Sequence, residues 1–288
     1  MKFLNKIKKK MLRHPWLYIT RYALISKNGP KVYSDDLARF DQFNDISIIP
    51  EFFYKINPQI NLQPQADELE KAKQIGQYLR SNTKPGPAIG LSPETTLKKM
   101  LNGQGGVCSD FSKMFNLFCL MNDISVKEWG CVDQLYQTQF GHSFNEIYST
   151  AQQKWIAIDV HKGILFEDKS GNYLSAMELF LYLRAGNELI VKHYSDYRSP
   201  KIERLPFVYA TYTIPFLVDN RNFKFISNCF RKNEKKHPKT LIDSWIILSK
   251  KNQKFIFVLD NYKKLFFKNH PKPTAVTRNK TLLLIEPN

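Results

Sequence analysis

A glycine-bearing turn opens directly onto an apolar helix and is followed by three short strands, and this order constrains the chain more tightly than any other feature. In QGGVCSDFSKMFNLF, residues 104–118, Gly105 and Gly106 interrupt regular structure. From Asp110 to Met121 the residues Phe111, Met114, Phe115, Phe118 and Met121 recur three or four apart, as they would along one face of a helix. Asn122 and Asp123 supply its stop. Branched and aromatic runs bounded by polar residues then predict strands over about 124–131, 141–148 and 154–160.

Other segments carry weaker signals. Leu69, Ala72, Ile75 and Leu79 predict a helix over about 67–81, and Ser92 caps a second one running from Glu94 to Met100. Ser175 with Glu178 forms a capping box for a helix reaching about Leu183, before the stop Ala185-Gly186-Asn187. At the start of the chain, Phe3, Ile7 and Met11 lie four apart among lysines, the pattern of a basic amphipathic helix that Pro15 bends or restarts. Residues 28–66 read as an irregular connection with short elements. Beyond residue 200, the runs KIERLPFVYATYTIPFLV, FKFISNCF, SWIILS, KFIFVLD, KKLFFK and TLLLIE read as strands of a β-rich region. The expected division is a basic helical extension over 1–60, a core over 61–200 and a basic β-rich region over 201–288, the last belonging either to the core or to a domain of its own.

Charge is segregated along the chain. Of the net +17, residues 1–31 contribute +9 and residues 219–288 contribute +11, so the middle carries −3. Basic ends suit an anionic membrane or polysaccharide in peripheral contact, and FKFISNCFRKNEKKHPK interleaves aromatics with positive charge. No RNP motif, helix-turn-helix signature or zinc finger accompanies that segment, so nucleic acid is not expected as the principal partner. With 21 Phe and 14 Tyr in 288 residues there is enough apolar surface to offset ordering entropy, which excludes fibrous and disordered classes. No apolar run reaches about 18 residues, and the N-terminus lacks the continuous apolar stretch of a secretory signal. The four cysteines form no CxxC pair, and Cys119 lies in an apolar stretch suited to a buried free thiol. The expected compartment is the reducing cytoplasm.

Chemistry concentrates in three places. Cys108 sits between a turn and the start of a helix, where unpaired N–H groups and the positive end of the helix dipole favour thiolate. His142 begins one predicted strand and Asp159 ends the next, so an antiparallel pairing brings them together. Asp159 could then orient His142, and His142 could take and return the Cys108 proton. The backbone N–H of Cys108 and the side chain of Gln104 are candidate oxyanion donors, while Ser109 or Asp110 is expected to cap the helix. A metal held by His142, Asp159 and His161 lacks any specific ligand spacing, and His161 reads better as a cleft-edge or surface residue. Neither a metal nor a cofactor is expected, and no acidic cluster suggests calcium.

GGVCSDFSKMF, GHSFNEIY and KWIAIDV together resemble the transglutaminase-like cysteine enzyme superfamily, with its helix-opening Cys, a strand His in a GHxW-like context and an Asp ending a Trp-containing strand. These positions correspond to Cys108, His142 and Asp159, with Phe144 in place of the usual Trp. The resemblance implies an α+β fold in which the Cys-bearing helix packs against an antiparallel sheet. It also implies acyl transfer or hydrolysis at an amide or peptide bond through a thioester, with water or an amine as acceptor. Some relatives are inactive, so the alternative expectation is a scaffold whose basic ends hold an anionic partner. Oligomeric state has no sequence signal.

Overall fold

The computed structural model describes residues 25–26, 49–132, 141–194, 214–220, 222–251 and 254–257. The expected N-terminal amphipathic helix and the runs KKLFFK and TLLLIE lie outside these residues. Within them the elements are β1 (Ile25–Ser26), α1 (Glu51–Ile56), a 3₁₀ turn (Asn57–Ile60), α2 (Glu68–Asn82), α3 (Pro93–Lys99) and α4 (Cys108–Met121). Then follow β2 (Val126–Val132), β3 (Gly141–Ser149), β4 (Lys154–Asp159), β5 (Ile164–Glu167), α5 (Ala176–Arg184) and β6 (Ile190–His193). The described C-terminal elements are β7 (Ile214–Asp219), α6 (Phe223–Asn233), α7 (Lys239–Leu248) and β8 (Lys254–Phe257).

The strands form one sheet in the order β1-β8-β7-β2-β3-β4-β5-β6, antiparallel throughout except for the β1–β8 pair. This is an α+β fold with the Cys-bearing helix against an antiparallel sheet, as the resemblance implies. Side chains alternate across the sheet with the period of two that a strand imposes. Val126, Ile147, Ile156 and Ile158 pack with Phe111, Met114, Phe115 and Phe118 of α4 and with Leu69, Ile75 and Leu79 of α2. Trp129, Phe144, Ala157 and Phe166 pack instead with Leu179 and Leu183 of α5. The sheet is therefore sandwiched between α4 on one face and α5 on the other.

Buried polar groups fix how α4 sits on the sheet. The Ser112 hydroxyl donates to the Asn145 Oδ1 at 2.8 Å, and Asn145 Nδ2 donates to the Asn116 Oδ1 at 2.6 Å and to the Ser112 carbonyl at 3.2 Å. All three residues are buried, so leaving any partner unmatched costs roughly 1–3 kcal/mol. This seam specifies one register of α4 on β3, because a shifted helix would strand several groups at once.

The C-terminal region departs from expectation. FKFISNCF and SWIILS are helical, within α6 and α7, while IPFLVD and KFIF join the sheet as β7 and β8. In α6 the residues Phe223, Ile226 and Phe230 recur three and four apart, and in α7 Ile242 and Ile246 do so, which places each set on one face of a helix. Phe230, Cys229, Ile242 and Ile246 bury together as a small core of their own.

Candidate active site

The turn ahead of the cysteine is clamped by backbone pairing. Gly86 N–H donates to the Gly106 carbonyl at 2.8 Å, and Gly106 N–H donates to the Lys84 carbonyl at 3.0 Å. Gly105 has φ +76°, and a Cβ there would lie 2.5 Å from the Lys84 carbonyl oxygen, so no other residue fits without displacing the strand. α4 then begins at Cys108, two residues earlier than the periodicity predicts.

Val107 is the residue that precedes the helix, and the expected caps Ser109 and Asp110 lie inside it. Asp110 nevertheless serves the helix end: its carboxylate accepts the N–H groups of Val107 at 3.1 Å, Ile89 at 3.0 Å and Gly90 at 3.0 Å. The buried carboxylate thus ties the 89–90 loop to the turn that presents the thiol.

Antiparallel pairing brings the start of β3 beside the end of β4, with Asn145 opposite Ile158. His142 and Asp159 meet there: His142 Nε2 lies 2.6 Å from Asp159 Oδ2. Asp159 is fully buried and its other oxygen accepts the Lys162 N–H at 2.9 Å, so the carboxylate is held from both sides. Cys108 is partly exposed, and His142 and the backbone of Ser143 both act on its thiol.

The electrostatics follow from these contacts. Burial disfavours the imidazolium, but the charge and hydrogen bond of Asp159, with the thiol beside it, overcome that cost and hold His142 up to about 10. Burial likewise pushes the Cys108 thiol up, and the hydrogen bond and charge of His142 with the Ser143 backbone outweigh it, leaving the thiol below its ordinary value. Each group favours the ionised form of the other. The arrangement is suited to a thiolate–imidazolium pair.

His161 is half-buried, with its ring 6.0 Å from that of His142 and 5.2 Å from that of Phe111. Burial holds it down to about 4 against the pull of the Asp159 carboxylate, so it is neutral beside the charged His142. The buried Arg80 guanidinium donates to the His161 carbonyl and packs over the Phe111 ring, which fixes the turn after Asp159. Among the described residues, no group of three His, Cys, Asp or Glu side chains is placed to hold a metal ion. Gln104, the candidate second oxyanion donor, is exposed at the end of the turn.

Two contributors had no clear mark in the sequence. The Ser143 contact is a backbone one, which any residue can make. Arg80 was hidden on the buried side of α2. The seam did leave a signal: Ser112 and Asn116 are polar residues four apart on an otherwise apolar helix.

Residues 55–160 match the model of the Transglutaminase-like superfamily, a span that includes Cys108, His142 and Asp159. The match links residues 55–160 distantly to that superfamily. No curated protein sequence matches it. Among solved structures, a "putative cysteine protease from Cytophaga hutchinsonii" aligns at 18% identity with a TM-score of 0.34, over 45% of this chain and 43% of that one. The matched portion is thus less than half the length of that relative. All four cysteines are free thiols, and Cys119, Cys131 and Cys229 are buried. Among the described residues no helix is long and apolar enough to cross a membrane.

Proposed function

We propose that the protein is a thiol acyltransferase or hydrolase acting at an amide or peptide bond, with residues 61–200 as its catalytic core in a reducing compartment. The observation that supports this reading is the 2.6 Å contact between the buried imidazole of His142 and the Asp159 carboxylate, with His142 in turn lowering the Cys108 thiol. In this reading the Cys108 thiolate attacks the carbonyl carbon, forming a C–S bond and a tetrahedral oxyanion. The backbone N–H of Cys108, at the unpaired start of α4, is assigned to the oxyanion, with Gln104 as candidate second donor. As the C–N bond breaks, the His142 imidazolium gives its proton to the leaving nitrogen. Water or an amine then attacks the thioester, its proton passes to His142, and the C–S bond breaks to restore the thiolate. Asp159 holds the ring in place throughout.

The test is the pH dependence of Cys108 alkylation in wild type, His142→Ala and Asp159→Asn, with the adduct located by mass spectrometry. Rapid wild-type labelling below about pH 7, slowed by loss of His142, supports an activated thiolate, because an ordinary cysteine titrates near about 8.5. Slow labelling, or equal labelling in a folded His142→Ala protein, overturns the assignment and leaves a non-catalytic scaffold.

A further inference from the structure

The α6–α7 hairpin presents a surface that the thiol chemistry does not use. Along α7, Leu241, Trp245 and Leu248 lie four and three apart on one face and are 59%, 53% and 79% exposed, while Ile242 and Ile246 on the opposite side are buried. Large apolar side chains this exposed and contiguous mark a contact surface. Positive charge surrounds them. Residues 223–251 hold eight Lys and Arg against two acids, and both acids are engaged: Asp243 with Lys239 at 2.5 Å, and Glu234 with Ser92 at 2.8 Å. Lys250 and Lys251 lie two and three residues after Leu248, and the Lys251 ammonium lies 5.0 Å from the Phe225 ring, which is itself 6.4 Å from that of Trp245.

We propose that the α7 face of Leu241, Trp245 and Leu248, with its lysine rim, docks on an anionic lipid bilayer, inserting the apolar side chains at the headgroup boundary. Charge selects this occupant from the others. A second copy of the face would set lysine against lysine. The two terminal segments outside the described residues are also basic: 1–24 carry seven Lys and Arg with no acid, and 258–288 carry six against two. A nucleic acid would satisfy the lysines, but of the three aromatics interleaved with charge in the sequence Phe223 and Phe230 are buried and Phe225 is half-buried with the Lys251 ammonium over its ring, which leaves no row of open rings for bases to stack on. What is presented instead is two leucines and a tryptophan, which acyl chains and headgroups accept and a phosphate backbone does not. Lys and Arg near an anionic surface add to the apolar contribution.

The experiment is sedimentation of the full chain with vesicles of phosphatidylcholine, alone or mixed with phosphatidylserine. The wild type is expected to pellet with the mixed vesicles and not with the neutral ones. Trp245→Ser/Leu248→Ser and, separately, Lys250→Glu/Lys251→Glu are each expected to lower binding by about tenfold or more. Because these positions are exposed, circular dichroism and the Cys108 alkylation rate are expected to match wild type, which separates loss of docking from loss of fold. A Lys8→Glu/Lys9→Glu/Lys10→Glu variant divides the hairpin from the N-terminal segment. The proposal is overturned if that variant alone abolishes binding while Trp245→Ser/Leu248→Ser pellets like wild type. It is equally overturned if the wild type ignores anionic vesicles, whether it binds single-stranded oligonucleotide through Trp245 or forms a dimer that Trp245→Ser/Leu248→Ser dissociates.

Discussion

Two buried ion pairs lie in the central sheet, and they behave oppositely. At the start of β3, His142 and Asp159 are 2.6 Å apart, and the imidazole remains charged up to about 10 despite burial. Further along the same strand Glu146 faces Lys127 at 3.9 Å, accepts Trp129 Nε1–H at 2.9 Å and caps α5 through the Ala176 N–H at 2.8 Å. There burial wins and pushes the Glu146 carboxyl up, although Lys127, the Ala176 N–H and Trp129 all pull the other way. The Lys127 ammonium also sits 3.5 Å from the Trp155 ring centroid. Burial of charge therefore does not define a site by itself. The pair at His142 acts on a partly exposed thiol, whereas the pair at Glu146 spends its polar groups on joining α5 to the sheet.

Substitutions at the two pairs should separate chemistry from stability. The largest effect is expected for His142→Ala, which returns the thiol toward its ordinary range and slows Cys108 alkylation at about pH 6.5 by up to about a hundredfold, the ratio between a fully ionised thiol and an ordinary one. Asp159→Asn keeps a hydrogen-bonding group against the ring but removes the charge, and about tenfold slower alkylation is expected from the same assay. Glu146→Ala leaves the Trp129 and Ala176 N–H groups without this acceptor. Thermal or urea denaturation should show a loss of about 3 kcal/mol, with the alkylation rate of the folded protein unchanged. If Glu146→Ala slows alkylation as much as Asp159→Asn does, the contrast between the pairs fails.

The pH profile sharpens the same contrast. His142 is raised, so its imidazolium persists below about 10 and is lost above it, whereas the lowered Cys108 thiol gains its thiolate at a pH below the ordinary one. Alkylation should therefore rise with pH to a plateau and stay there, while turnover of an amide substrate should fall again near about pH 10, when the proton for the leaving nitrogen is gone. The smallest effect is expected for Ser112→Ala, which removes one donor from the α4 seam and should cost about 1 kcal/mol by denaturation with no change in either profile.

Much of this was legible from local patterns. The helix at 108–121, the strands bearing His142 and Asp159, and the capping box at Ser175 and Glu178 all rest on signals contained within a dozen residues. The meeting of His142 with Asp159 followed because consecutive antiparallel strands leave few other places for those ends. FKFISNCF and SWIILS were misread because a short apolar run satisfies strand and helix templates alike, and burial of Phe223, Phe230, Ile242 and Ile246 decided for the helical period. The Ser143 backbone contact carries no residue-type signature. Asp110 was read as a cap, but its bonds to Ile89 and Gly90 depend on a loop about 20 residues away that composition alone could not direct toward it.

The loop between α2 and α3 is held by two carboxylates of very different origin. Asp110 grips Ile89 and Gly90 from about 20 residues away, while Glu234 accepts the Ser92 N–H at 2.9 Å and the hydroxyls of Ser92 and Thr95 across separations of 142 and 139. His142 and Asp159 are only 17 apart. Contacts between near neighbours in sequence close sooner than those that must join distant segments. As the chain leaves the ribosome, the thiol, its imidazole and its carboxylate can assemble while α6 is still unmade, and the Glu234 clasp is the last stitch in that wall of the molecule.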